Sequence, residues 1–300
     1  MEKRKARFSG HQTFAFRYGW LEKGFRFIKE GKWFKDDDAI VDLGVGKNMV
    51  DSIRYWCEMT GVLSDGAISK LGSKIFDEKH GWDPFLEDNA SLWLLHWKLN
   101  THPEFMTAGL ALFSFLHKPE FSKHDVAEAI LRSLDPNKKP PSDNIILRDI
   151  DCYVRAYAGA RRFDKSASKE ESFECPFQEL NLIHPMSDSD MYRFAIGSKI
   201  SLPPEMVGFA LYEYLEKGNN RSSMRIQEAL YHEFSPGQVF MLDENALVEA
   251  IQSLHSSAKW QRKFSFTESA GVALVHCNIN REEAFDLLND YFKGVQINAE

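Results

Sequence analysis

The sequence predicts a mainly α-helical α+β protein whose first 80 residues form a winged helix-turn-helix. Three observations lead to this prediction. The chain has 300 residues, which is more than one minimal module needs and fits two or three domains. Hydrophobic residues make up 43% of the chain and charged residues 27%, an ordinary balance for a globular protein that can bury real cores. Finally, two helical patterns separated by a glycine turn precede a short hairpin pattern within residues 36–76.

The N-terminal module is predicted from that segment. Asp36–Asp38 precede an apolar run in the way that N-caps and first-turn acids do. Gly44 and Gly46 then mark a tight turn, and a second helix is expected from about Lys47 to Met59. Residues 61–76 predict a strand, a turn at Asp65-Gly66, a second strand and a short helix. The buried face of the second helix is expected to consist of Met49, Val50, Ile53, Trp56 and Cys57.

This order of elements is that of a winged helix-turn-helix, in which the second helix presents its polar face to the DNA major groove. Asp51 and Glu58 on the same face oppose DNA, and winged helices also serve as protein-interaction modules, so that alternative stays open. The residues of the module expected to contact DNA are Lys47, Asn48, Ser52, Arg54, Tyr55 and Lys70.

Positive charge is concentrated at the N-terminus. The formal net charge of the whole chain is -7, yet residues 1–35 carry ten Lys or Arg side chains and only three acids. A basic arm on an acidic body can hold phosphates locally, so Arg7 and Arg17 are expected to contact DNA. The alternative is a terminus that only improves solubility.

The rest of the chain predicts two further domains. Residues 81–163 are expected to be a helical domain with an apolar helix after Asn89, and the polar stretch 164–172 is the best linker. Residues 173–300 predict an α+β domain with a second winged-helix-like unit. Its expected elements are a strand at 191–197, helices at 202–217, 223–234 and 243–257, a strand followed by a helix within 260–276, and a closing helix at 282–292.

Cysteine usage and hydropathy indicate a cytoplasmic protein. The four cysteines show no CxxC spacing, so reduced and mostly buried thiols are expected rather than disulfides or a zinc site. The N-terminus lacks the apolar region of a secretory signal, and no apolar stretch is long enough to predict a membrane span.

Candidate chemistry is limited to a few acids and histidines. Glu87 and Asp88 could hold Mg²⁺ or Mn²⁺ for phosphodiester cleavage, or Asp88 could cap the helix that begins near Asn89. His11 lies in a polar run beside the basic arm and could be a base, a phosphate ligand or a helix-cap partner. His96, on an apolar helix, is expected to be buried and hydrogen-bonded. No PD-(D/E)xK, HNH or GxxxxGK motif is present.

Three long segments resemble the SspB-type proteins of bacterial DNA phosphorothioation. They are FSGHQTFAFRYGWLEKGF (8–25), DDAIVDLGVGKNMVDSIRYWCEMTGVL (37–63) and DPFLEDNASLWLLHWKL (83–99), and the later segments CPFQELNLI, SPGQVFMLDENAL and TESAGVALV are also similar. The resemblance therefore extends over most of the chain. The family's motif residues fall on His11, Gln12, Arg17, Lys47, Asn48, Arg54, Glu87, Asp88 and His96.

The resemblance implies a role in phage defence beside ATPase, PAPS-reductase-like and cysteine desulfurase partners. SspB-type proteins are understood to nick DNA, but the resemblance assigns a catalytic role to no single residue. We expect His11, Glu87 and Asp88 to be the catalytic residues, with the two acids as metal ligands and Gln12 as a further contact to double-stranded DNA. The segment TAGLALFSFLH (107–117) departs from the family's aromatic and polar pattern. A DNA-binding adaptor without nicking activity is therefore the alternative.

Overall fold

The structure is a computed structural model that describes residues 5–102, 104–158, 175–187, 189–218 and 220–299, with side chains up to residue 295. The chain divides into two compact units, residues 1–195 and 196–300. This division differs from the three predicted segments, because residues 175–195 belong to the first unit. The predicted linker at 164–172 lies outside the described residues. The mainly helical α+β class is confirmed.

The predicted elements of residues 39–76 are present in the first unit. They follow α1 (Trp20–Lys29) and are α2 (Ala39–Leu43), α3 (Lys47–Met59), β2 (Leu63–Ser64), β3 (Ala67–Ile68) and α4 (Lys70–Phe76). Gly44 ends α2 in the left-handed conformation, with φ 64°. Asp65 and Gly66 both have positive φ, as a two-residue hairpin turn requires.

The remainder of the first unit is helical with small sheets. Its helices are α5 (Asn89–Asn100), α6 (Ala108–Leu110) with a π-helical continuation (Ala111–Phe115), α7 (Lys123–Ser133), α8 (Asp143–Ala158) and a 3₁₀ segment (Pro176–Leu180). The strand β1 (Lys5–Ala6) runs parallel to β4 (Phe105–Met106). A second sheet has the order β5 (Glu120–Ser122), β7 (Met191–Phe194), β6 (Ile183–Pro185), and this pairing ties residues 183–194 to the first unit.

Aromatic side chains fill the core of the first unit. Trp56, Trp93, Trp97 and Tyr153 are fully buried, as expected from a chain rich in large aromatics. Helix α5 is buried nearly all round, so the predicted apolar helix is confirmed. The first described residues are not a free arm, because β1 pairs with β4; Lys3 and Arg4 of the predicted arm lie outside the described residues.

The second unit has the element order α9 (Pro204–Lys217), β8 (Ser223–Arg225), α10 (Ile226–Tyr231), α11 (Pro236–Phe240), α12 (Glu244–Ser256), β9 (Phe264–Ser269), β10 (Val272–Cys277) and α13 (Arg281–Ala299). Its antiparallel sheet has the order β8-β10-β9. A winged-helix-like assignment for this unit stays a prediction.

Two sequence predictions for the second unit are corrected. The segment 223–234 is not one helix, because Ser223–Arg225 form a strand that pairs with β10. The segment 260–276 contains two strands and no helix. Ala270 and Gly271 both have positive φ and reverse the chain in a tight hairpin.

The four cysteines are free and buried, as predicted. Burial raises the pKa of each thiol, to about 12 for Cys175 and Cys277. Among the described residues, no helix combines the length and the apolar character that a membrane crossing requires.

Candidate nucleic-acid interface

A strained loop follows β1, formed by residues 9–13 and called here the SGHQT loop. Ser9, Gln12 and Thr13 have φ values of 62°, 49° and 68°, in the left-handed region that residues other than glycine rarely occupy. Thr13 is β-branched, for which this conformation is a genuine outlier. Gly10 packs so closely on the Tyr55 ring that an added Cβ would lie 2.3 Å from a ring carbon.

His11 anchors this loop inside the protein. Its Nδ1 atom accepts the backbone N–H of Thr13 at 3.0 Å, so the ring proton is placed on Nε2, which donates to Asp149 Oδ1 at 2.9 Å. Both Asp149 oxygens also accept the backbone N–H of Ser9 at 2.9 Å. Because the His11 side chain has no exposed surface, the prediction of a surface base or phosphate ligand is corrected.

Aromatic rings enclose the imidazole. It stacks on Trp56 with ring centroids 6.2 Å apart, and the Tyr55 and Tyr153 rings meet it edge-on. The Tyr55 and Tyr153 hydroxyls are 2.7 Å apart, and burial raises the pKa of the Tyr55 hydroxyl well above its ordinary value. The prediction that Tyr55 and Ser52 project towards DNA is wrong, because both side chains are buried in the core.

The start of α3 is exposed and lacks a side-chain cap. Gly46 occupies the N-cap position in an extended conformation and offers no side-chain acceptor. Lys47 and Asn48 are exposed in the first turn. Met49 donates its N–H to the Gly46 carbonyl at 2.8 Å, so the first-turn N–H groups without a helical partner are those of Lys47 and Asn48. The helix dipole favours anions at this end.

The acids on the outer side of α3 are compensated by arginines. Glu58 forms an ion pair with Arg7, whose guanidinium lies over the Tyr55 ring at 5.3 Å. Arg54 lies within 3.8 Å of Asp51 and 4.0 Å of Glu58. Arg7 and Arg54, both predicted to bind DNA, are thus engaged with the acids that were expected to oppose DNA.

The remaining predicted DNA contacts are spread over the first unit. Gln12 is exposed at the tip of the SGHQT loop. Arg17 is half-buried, with its guanidinium over the rings of Phe14 and Trp20 at 5.8 and 5.4 Å. Lys70 is exposed at the first position of α4.

The Glu87–Asp88 loop is organised by a third acid. The buried carboxylate of Asp83 accepts the backbone N–H groups of Glu87 and Asp88 at 2.8 and 3.0 Å. Asp88 is the N-cap of α5 and accepts the N–H of Ala90 at 2.7 Å, so its capping role is confirmed. Glu87 is exposed.

These carboxylates do not form a ready site for Mg²⁺ or Mn²⁺. Both oxygens of Asp83 and Oδ1 of Asp88 already accept backbone N–H groups, and Glu87 is the acid of this loop that is exposed. Within the described ranges, no group of three or more His, Cys, Asp or Glu side chains is arranged to hold a metal ion.

His96 is buried, as predicted. Its Nδ1 atom lies 2.7 Å from the Tyr157 hydroxyl and 3.0 Å from the Asn100 side-chain nitrogen. These contacts place His96 in a polar cluster between α5 and α8, away from solvent. Its place in the structure is that of a core histidine.

Sequence reasoning missed Asp149, which holds the SGHQT loop. A signal was available, because Asp149 falls on the apolar stripe of α8 with Ile146, Ile150 and Tyr153. A charged residue at a core position needs a buried partner. The sequence does not reveal that the partner is His11, 138 positions earlier.

The comparisons with known proteins extend over the whole fold. Two solved structures, magnesium ion-bound SspB and SspB, each have 27% sequence identity and cover 98% of this chain and 90% of the other, with TM-scores of 0.82 and 0.81. No curated protein matches the chain in sequence. The likeness confirms the SspB-type relationship. A family model described as a protein of unknown function, DUF4007, matches residues 8–292, so the chain belongs to the DUF4007 family.

Proposed function

We propose that this chain is a DNA-binding component of a bacterial phosphorothioation-linked antiphage defence system. Residues 39–76 would act as its winged helix-turn-helix, and its partners would be double-stranded DNA and the ATPase, PAPS-reductase-like and cysteine desulfurase proteins of such systems. The observation that carries the proposal is the exposed, uncapped start of α3 with Lys47 and Asn48 in its first turn. Free N–H groups, a positive dipole end and a lysine together favour a phosphate.

The charges around α3 support the same proposal. Asp51 and Glu58 would repel a phosphate backbone if they were unpaired. Because Arg54 and Arg7 lie against them, the outer side of α3 presents compensated charge. The charge at the start of α3 is then positive because of Lys47, although the whole chain has a net negative charge.

Salt-dependent binding to a fluorescein-labelled duplex, followed by anisotropy, tests this proposal. Phosphate contacts release counterions, so affinity should fall steeply with salt. Lys47→Ala should weaken binding and reduce the salt slope by about one. Lys293→Ala, an exposed lysine in the second unit, is the matched control and should bind as the wild type does. Equal behaviour of the two variants, or wild-type binding without salt dependence, would refute the proposal.

DNA nicking is the second candidate function. It is favoured by the magnesium ion in a solved SspB relative and by the exposed carboxylate of Glu87 on a fixed loop. The loop geometry gives this candidate less support than DNA binding, because Asp88 is already used as a helix cap.

The test is conversion of supercoiled plasmid to open circles with Mg²⁺, Mn²⁺ or EDTA. Glu87→Gln removes one charge, and Asp88→Ser removes the other while retaining a capping oxygen. Glu249→Gln, an exposed acid in the second unit, is the control. Metal-dependent nicking that Glu87→Gln abolishes would support the candidate. Wild-type protein that binds the plasmid and leaves it supercoiled would establish the adaptor instead.

A further inference from the structure

The SGHQT loop holds an unfavourable backbone shape at three of its five positions. Left-handed conformations at Ser9, Gln12 and Thr13 persist only where the surrounding structure imposes them. Such strain is concentrated at ligand-binding and catalytic sites, so an observed cluster of outliers is a reason to look for a function.

Helix α8 supplies much of what imposes the shape. Asp149 accepts the N–H of Ser9 and the Nε2–H of His11, which fixes the first half of the loop. Arg155, six residues further along α8, donates to the carbonyl of Thr13 at 3.1 Å and also donates to Asp151 at 2.9 Å. The loop is therefore fixed at both ends by one helix, with His11 filling the space between them.

These contacts hold the tip of the loop rigid and leave the side-chain amide of Gln12 exposed there. Gln12 lies at the tip, and within the described part of the chain its side chain forms no hydrogen bond. An amide can donate to and accept from a base edge, or donate to a phosphate oxygen, without adding charge. A side chain on a preformed loop loses less conformational entropy on binding than one on a mobile loop.

We propose that Asp149 is a positioning residue that presents Gln12 to DNA. Arg155 assists it by holding the far end of the SGHQT loop. The ligand class is duplex DNA, contacted through the neutral amide of Gln12, in addition to the phosphate contact at the start of α3. This inference rests on the proposed DNA-binding function.

A double-mutant cycle on DNA affinity tests it. Gln12→Ala should weaken duplex binding about tenfold, a free-energy change within the range of one good base-edge contact. Gln12→Gly, which suits a positive φ, should weaken it as much and excludes backbone strain as the cause. Asp149→Asn should weaken binding about three- to tenfold, and the double variant Gln12→Ala/Asp149→Asn should be no weaker than Gln12→Ala. A merely structural role of Asp149 would give additive losses.

Matched controls and the salt slope separate the outcomes. Gln252→Ala and Asp143→Asn, an exposed glutamine in the second unit and the exposed acid at the start of α8, should retain wild-type affinity. The salt slope should be unchanged in Gln12→Ala, because no charge is lost. If the wild type binds DNA with salt dependence and both Gln12 variants bind with the same affinity, this inference is wrong and the proposed function stands. Wild-type protein without salt-dependent binding overturns both.

Discussion

Replacing Asp149 by alanine should destabilise the first unit strongly. The carboxylate accepts two donors at 2.9 Å, the imidazole of His11 and the backbone N–H of Ser9. His11 is fully buried, so no solvent can replace the lost acceptor on Nε2. Ser9 is an exposed residue, so the loss of its hydrogen bond should cost less. The two lost contacts therefore have unequal costs.

The size of the effect follows from these contacts. A hydrogen bond to a charged acceptor contributes about 1.5–3 kcal/mol, and a buried donor without an acceptor costs about 1–3 kcal/mol. Relaxation of the strained loop would return about 1 kcal/mol. We therefore expect Asp149→Ala to lower the free energy of unfolding by about 1.5–5 kcal/mol. Asp149→Asn keeps one acceptor oxygen and should cost about 1–2 kcal/mol.

Urea denaturation, monitored by tryptophan fluorescence, measures this change in the free energy of unfolding. Six of the seven tryptophans belong to the first unit and report on it. Asp151→Ala is the control on the same helix, since Asp151 forms only part-exposed ion pairs and should cost less than about 1 kcal/mol. If Asp149→Ala costs no more than Asp151→Ala, the buried hydrogen bonds do not hold the loop and the reasoning is refuted.

Three further predictions concern the buried cysteines, the backbone of the SGHQT loop and the cap of α5. Burial raises the pKa of the Cys175 thiol from its ordinary 9.0 to about 12, so the thiol stabilises the fold fully below pH 9 and loses this contribution as the pH rises towards 12. Cys175→Ala should therefore make the decline of the unfolding free energy between pH 9 and 12 shallower by about 1.4 kcal/mol per pH unit. Thr13→Gly should raise the free energy of unfolding by about 1 kcal/mol in urea titrations, because glycine adopts φ 68° without strain. Asp88→Ala should lower thermal stability by about 1 kcal/mol through the lost cap, whereas Glu87→Ala should change it by less than about 0.5 kcal/mol; equal effects would contradict the capping role.

Local patterns were sufficient where local chemistry determines the structure. The helix from Lys47 to Met59 and the turn at Asp65-Gly66 were predictable, because helical spacing and a positive-φ dipeptide act over a few residues. The cap at Asp88 was predictable for the same reason. The helix prediction was wrong at Ser223–Arg225, because this strand depends on pairing with β10, which lies some fifty positions later in the chain.

The candidate interface was only partly predictable. Lys47 and Asn48 were found because a helix start is visible in the sequence. Tyr55 was not predicted to be buried, because its hydroxyl suggests a place on the polar face of α3. In the structure Tyr153, on another helix, supplies that hydroxyl with a buried hydrogen-bond partner. His11 was misread in the same way, since the polar residues around it in the sequence are not its neighbours in space.

Several acids of the first unit are used inside the protein, so that basic and amide groups make up much of the exposed surface near α3 and the SGHQT loop. Asp83, Asp88 and Asp149 all direct their carboxylates at backbone N–H groups, and each thereby fixes a loop. Acids that stabilise loops in this way contribute less repulsion to an approaching phosphate, because hydrogen-bonded N–H dipoles partly offset their charge. The charged and amide side chains left facing solvent at the start of α3 and at the SGHQT loop are those of Lys47, Asn48 and Gln12. An acidic chain can therefore present a local surface of positive and neutral polar groups without a basic coat, provided that its loops are held rigid.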